Sequence, residues 1–161
     1  MSSSSDATIL LNLLKKVMDA QDERILAYKT FDRVVESTTM EFQEISLTIR
    51  QAQKELKEIG DEKYSGLIDQ LQNLEREKLQ ITINIQKVEQ FVEEEKKKLA
   101  CDHDEKCRHN HQDEEELGGA KLTLLLEDLK KFIVRESELI EQINEILEEF
   151  RCDILELKSS L

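Results

Sequence analysis

The sequence predicts an all-α protein, an elongated antiparallel helical bundle or coiled coil of three to four helices. The chain contains no proline and only four glycines, so few of its residues interrupt a helix. Charged residues make up 37% of it, in a composition typical of long amphipathic helices. Aromatic residues make up only 4%, and tryptophan is absent. These proportions favour narrow stripes of aliphatic side chains over a thick globular core.

The first helix is predicted at residues 6–36, after a disordered N-terminus at residues 1–5. Ser5 or Asp6 can cap it, because the first N–H groups of a helix need an acceptor. Residues spaced alternately three and four apart form its apolar stripe: Leu10, Leu14, Val17, Gln21, Arg24, Tyr28, Phe31 and Val35. Arg24 occupies a core position in this stripe. Two interpretations are open for Arg24: it pairs with a carboxylate on the facing helix, or its stem lies along the stripe while its head reaches water.

The second helix is predicted at residues 38–59. Thr38 and Glu41 have the spacing of a capping box, and the run at 37–39 weakens a helix, so a break is expected near those residues. One bent helix through this point is the alternative. The predicted stripe consists of Phe42, Ile45, Ile49, Ala52, Leu56 and Ile59.

The third helix is predicted at residues 61–99, after a second break at 60–61. Gly60 can adopt the left-handed conformation that ends a helix, and Asp61 can cap the next one. Residues 6–99 thus form a helical hairpin region of three helices. The stripe of the third helix consists of Leu67, Leu71, Leu74, Lys78, Ile81, Ile85, Val88, Val92, Glu95 and Leu99, widened by Ile83 and Phe91.

A polar connector is predicted at residues 100–119, followed by a C-terminal coiled-coil region at 120–161. Gly118 and Gly119 end the connector, because adjacent glycines break helices. The last helix is predicted at 120–158, with the longest stripe of the chain: Leu122, Leu126, Leu129, Ile133, Glu136, Ile140, Ile143, Leu147, Phe150, Ile154, Leu157 and Leu161. The candidate core and partner-binding residues are Arg24, Tyr28, Ile140, Ile143, Leu147, Phe150 and Ile154.

Helices of such unequal length cannot all cover one another, so part of a stripe is expected to remain for another protein chain. Homo-oligomers and hetero-oligomers both fit this expectation. The net charge of −13 argues against direct binding of nucleic acid or of anionic membranes. It fits a basic protein partner, and it fits plain solubility equally well.

An intracellular location is expected, in the nucleus or the cytoplasm. The apolar run at 9–14 is too short for a secretory leader or a membrane span, and the three cysteines are an odd number. Free thiols in a reducing compartment fit these features.

Cysteine and histidine are concentrated in the connector. Their side chains are the preferred ligands of zinc, and a site would draw on Cys101, His103, Cys107, His109 and His111. Their spacing matches no zinc-finger pattern, and seven acidic residues between positions 102 and 116 favour a solvated polar loop. The prediction is therefore no cofactor, with zinc as the alternative.

Catalysis is not expected. The chain has no glycine-rich phosphate loop, no G-x-S-x-G elbow and no HExxH. Its many carboxylates lie where heptad helices normally present a solvated face.

Two short stretches resemble the required-for-excision B-type domain family. The first runs Leu-Leu-Asn-Leu-Leu-Lys-Lys-Val at 10–17, followed by Gln-Asp-Glu-Arg at 21–24 and Tyr28. The second is Phe-Arg-Cys-Asp at 150–153. The sequence departs from the family pattern by lacking a Pro-rich turn between the first two helices, and the Cys/His connector resembles an insertion.

The resemblance implies a small helical intracellular protein with a role in DNA excision repair. Given the acidic charge, that role would run through protein contacts, as a non-catalytic adaptor or scaffold. The alternative is a structural coiled-coil component of cilia, axonemes or the microtubule cytoskeleton, where unequal helices and exposed stripes would fit equally well. A vesicle-tethering coiled coil is a weaker third interpretation.

Overall fold

The computed structural model describes the backbone at residues 4–30, 35–100 and 111–161 and the side chains at 5–26, 40–100 and 119–161. These residues form four helices and no strands: α1 (Ser4–Thr30), α2 (Val35–Glu58), α3 (Glu62–Leu99) and α4 (His111–Ser160). The prediction of an all-α bundle is confirmed.

The chain divides into two compact units. The first unit comprises Met1–Leu74 and Gln142–Leu161, and the second comprises Glu75–Glu141. The first unit therefore contains α1, α2, the beginning of α3 and the end of α4, whereas the second contains the remaining parts of α3 and α4.

The first unit has a continuous aliphatic core to which all four helical segments contribute. Its fully buried side chains are Leu14 and Val17 of α1, Ile49 and Leu56 of α2, Ile68 and Leu71 of α3, and Leu147 and Phe150 of α4. Helices α2 and α3 run antiparallel. Ser46 of α2 pairs with Gln72 of α3, whereas Gln53, about two turns later in α2, pairs with Ser65 and Asp69, which come earlier in α3. The predicted stripe of α2 is buried from Phe42 to Leu56, and Ile59 lies exposed at its end.

The turn between α2 and α3 is built as the sequence predicts. Gly60 has φ +82°, a left-handed conformation that glycine adopts without steric cost. Asp61 N–H donates to the Leu56 carbonyl at 3.0 Å and Gly60 N–H to the Lys57 carbonyl at 3.1 Å, the bond pattern of a Schellman motif. Asp61 then caps α3, since its Oδ1 accepts from the backbone N–H of Tyr64 at 3.1 Å.

Three predicted helix boundaries are corrected. Helix α2 begins at Val35 and continues through 37–39, so these residues do not break the helix, because the propensity cost of Ser and Thr in a helix is small. Helix α1 begins at Ser4, within the segment expected to be disordered, and places Asp6 in its first turn. Helix α4 begins at His111 and contains Gly118 and Gly119, because each glycine costs only about 1 kcal/mol in a long cooperative helix.

The second unit is an antiparallel helical hairpin. Glu77, Thr82 and Glu95 of α3 contact Arg135, Glu136 and Lys121 of α4, at 2.7, 2.9 and 2.7 Å respectively. Its described apolar side chains are mostly half-buried, and only Val92 and Leu139 are fully shielded from solvent. Two helices alone therefore give this unit a narrow core.

Candidate protein-interaction site

A buried polar cluster joins three helices of the first unit around Arg24, whose side chain in α1 is only 3% exposed. Its Nη1 donates a hydrogen bond to Gln21 Oε1 at 3.1 Å. Its Nη2 donates to Gln72 Oε1 of α3 at 2.9 Å and to Ser46 Oγ of α2 at 3.4 Å. The side-chain amide of Gln72 also donates to the Ser46 carbonyl at 3.4 Å. A single guanidinium thus ties α1 to both α2 and α3.

The burial of Arg24 excludes one of the two interpretations of its position. Its charged head lies inside the bundle and does not reach water along the stripe. The carboxylate partner remains a prediction, since the hydrogen bonds above reach neutral oxygens. Hydrogen bonds in a low-dielectric interior are strong and directional, so the cluster favours one alignment of the three helices.

A second polar contact joins the start of α3 to the end of α4. The Tyr64 hydroxyl donates to Asp153 Oδ2 at 2.6 Å, and Lys63 Nζ lies 2.9 Å from the same oxygen. Lys63 Nζ also lies 3.1 Å from Glu149 Oε1. The Tyr64 ring stacks against buried Phe150, with centroids 5.9 Å apart. We call these residues the Tyr64 clamp.

Three ionisable groups of the Tyr64 clamp have shifted pKa values. The Tyr64 hydrogen bond, followed by that of Lys63, holds the pKa of Asp153 below its usual value. Burial and the Asp153 carboxylate raise the pKa of Tyr64, and the hydrogen bonds to Asp153 and Glu149 raise the pKa of Lys63. These shifts move the pKa values of Asp153, Tyr64 and Lys63 further from neutral pH, so each of these three groups keeps its charge state near pH 7.

The second unit carries an exposed apolar stripe on α4. Leu126, Ile133 and Ile140 are 44%, 46% and 40% exposed, and their seven-residue spacing places them on one face. We call this the Leu126 stripe. The predicted buried stripe of α4 included these three residues, and the prediction is wrong for them. The side chains shielded there lie one residue earlier, at Leu125, Phe132 and Leu139.

The surroundings of the Leu126 stripe favour a protein contact. Leu124 and Val134 are also exposed, so α4 is apolar on several sides between 122 and 140. An exposed apolar patch of this kind marks a candidate contact surface. Residues 75–141 contain twelve basic and eighteen acidic residues, so the second unit shares the acidic charge of the chain.

The other predicted site residues have different environments. Ile143, Leu147, Phe150 and Ile154 are buried in the first unit, where they are covered by the chain itself. Of Tyr28 only the backbone is described, within α1. Sequence reasoning missed Tyr64 as a contact residue. Its position three residues after the Asp61 cap, on the apolar side of α3, was the available signal.

The predicted metal ligands Cys101, His103, Cys107 and His109 lie outside the described residues, and of His111 only the backbone is described. Within the described part of the chain, no group of three or more His, Cys, Asp or Glu side chains could hold a metal ion. Cys152 there is a free, exposed thiol. No described helix combines the length and the apolar character needed to cross a membrane.

Residues 30–90 match the model of the family described as DNA repair REX1-B. This confirms the resemblance to the required-for-excision B-type family. The matched residues cover α2 and most of α3, so both motifs that suggested the resemblance lie outside them. Arg24 and Asp153, one from each motif, nevertheless hydrogen-bond into the matched segment, at Ser46 and Gln72 and at Tyr64. No solved structure and no curated protein matches the chain.

Proposed function

We propose that this protein is a non-catalytic helical adaptor of DNA excision repair, acting through protein–protein contacts in the nucleus. The match of residues 30–90 to the DNA repair REX1-B family is the observation that carries the repair role. The net charge of −13 supports contacts with proteins over contacts with DNA itself.

The proposed binding surface is the Leu126 stripe, and its proposed occupant is an amphipathic helix of a partner protein. Leu126, Ile133 and Ile140 lie two helical turns apart and offer such a helix three apolar contact points on one face, as in helix-in-groove recognition. The buried stripe at 143–154 is not proposed as the surface, because the protein's own core covers it.

The repair role is tested in cells that lack the protein. An adaptor of excision repair predicts raised sensitivity to ultraviolet light and accumulation of the tagged protein at irradiated nuclear sites. Unchanged survival, together with recovery of the protein in salt-washed axonemes, would instead support the cytoskeletal alternative.

The binding surface is tested separately by proximity labelling. The triple variant Leu126→Gln, Ile133→Gln, Ile140→Gln is expected to keep the helical content of the wild type and to lose labelled partners. The matched control replaces Met40, Leu47 and Leu155 by Gln, three residues that are 64–65% exposed elsewhere on the chain. Equal labelling by the stripe variant and by the wild type would exclude the Leu126 stripe as the surface.

A further inference from the structure

The apolar core positions of α4 leave its alignment in the first unit ambiguous. Ile143, Phe150 and Leu157 follow one another at intervals of seven residues, as do Leu147, Ile154 and Leu161. A shift that brings each residue to the place of the one seven before it would therefore exchange one large apolar side chain for another along both series, whereas the opposite shift would bring Glu136 to the buried place of Ile143. Hydrophobic burial is non-directional, so it discriminates weakly between the observed register and the first of these shifted registers.

A third series contains the exception. Asp153 lies seven residues after Ile146 and seven before Ser160, so it is the only carboxylate of its series. In the observed register its Oδ2 receives the Tyr64 hydroxyl at 2.6 Å and lies 2.9 Å from Lys63 Nζ. A shift in one direction would place Ile146 opposite the Tyr64 hydroxyl and leave this largely buried group without its acceptor. A shift in the other direction would replace the carboxylate by the shorter, neutral Ser160.

We propose that Asp153 is a positioning residue that selects the register of α4 against α3 in the first unit. Glu149, the other carboxylate near Lys63, cannot replace it, because its described contact is to the exposed ammonium of Lys63 and not to the Tyr64 hydroxyl. The pairing of one polar group with one acceptor is a known way to fix register in helical bundles. In the second unit, polar pairs between α3 and α4 act on the register of the same two helices, and Asp153 supplies this function in the first unit. This inference is independent of the proposed repair function.

Distance measurement between two spin labels tests the register. One label is placed on exposed Cys152 and the other on a cysteine introduced by Gln70→Cys in α3, with Cys101 and Cys107 replaced by Ser. Double electron–electron resonance is expected to give one distance for the otherwise native chain. Asp153→Leu is expected to add a second population with a different distance between the labels. In that population α4 would be shifted along its axis by about 10 Å, the rise of seven helical residues.

Three further variants separate positioning from general stability. Tyr64→Phe removes the hydroxyl and is expected to give the same second population. If Asp153→Leu does not fold, Tyr64→Phe alone tests whether the hydrogen bond selects the register. Asp153→Asn retains an acceptor oxygen and is expected to restore the single distance. Glu149→Gln leaves the Tyr64 hydrogen bond intact and serves as the matched control. A single native distance in both Asp153→Leu and Tyr64→Phe, or in whichever of them folds, would overturn the proposal.

Discussion

Replacing Arg24 by lysine tests whether the buried cluster needs the geometry of a guanidinium. Lysine keeps the positive charge and most of the stem, but its single ammonium cannot occupy both the Nη1 and the Nη2 positions. The ammonium therefore cannot donate at once to Gln21 on one side and to Gln72 and Ser46 on the other. At least one hydrogen bond from a charged donor is lost, and a buried acceptor is left unsatisfied. Each such loss costs about 1–3 kcal/mol, so we expect Arg24→Lys to lower the free energy of unfolding by roughly 2 kcal/mol.

Urea unfolding followed by circular dichroism at 222 nm measures this loss. The matched control is Arg50→Lys on the exposed face of α2, which is expected to change the free energy of unfolding by less than about 0.5 kcal/mol. If Arg24→Lys behaved like that control, the cluster would not depend on bidentate geometry, and its assigned role in aligning three helices would be refuted.

Three other predictions concern the first unit and its turns. Phe150→Ala should destabilise the protein by about 3–5 kcal/mol in thermal or urea unfolding because the ring is fully buried, whereas exposed Leu155→Ala should cost little; equal effects would contradict the burial. Gly60→Ala should cost about 1 kcal/mol because φ is +82°, whereas Gly66→Ala in α3, with open space around it, should stabilise by about 0.5–1 kcal/mol. The pKa of Asp153 is lower in the folded state than in the unfolded chain, so its contribution is present above pH of about 4 and is lost as the pH falls through the folded value. Asp153→Asn should therefore flatten the acid limb of stability against pH, and an unchanged acid limb would contradict this linkage.

The helical class and the α2–α3 turn were predictable because they depend on local chemistry. The lack of proline, the apolar spacing, Gly60 and Asp61 all act within a few residues of the chain. The same local reasoning overestimated the breaks at 37–39 and at Gly118–Gly119. Their propensity costs are real but small, and the cooperativity of a long helix exceeds them.

The choice of face on α4 was not predictable from its pattern. Between 122 and 140 the helix has aliphatic side chains at two adjacent heptad positions, and either set continues the spacing of the stripe. The structure shields Leu125, Phe132 and Leu139 and exposes Leu126, Ile133 and Ile140. Which set faces α3 depends on the rotation of one helix against the other, which is a tertiary property.

The polar contacts show a similar limit. Spacing alone predicted that Gln21 and Arg24 occupy core positions, and both are buried. It did not predict Ser46 and Gln72 as the partners of Arg24, because these lie on other helices at separations of 22 or more residues. The pairing of Tyr64 with Asp153, 89 residues apart, was beyond sequence reasoning for the same reason.

Ultraviolet survival of complemented cells tests the proposed adaptor role and its surface together. Cells lacking the protein would receive the wild type, the Leu126-stripe variant or the control variant at 40, 47 and 155, at equal expression and with helicity checked on purified protein. We predict that the wild type and the control restore survival and that the stripe variant does not. Full rescue by the stripe variant would contradict the assignment of partner binding to this face of α4, and no change in survival without the protein would contradict the repair role itself.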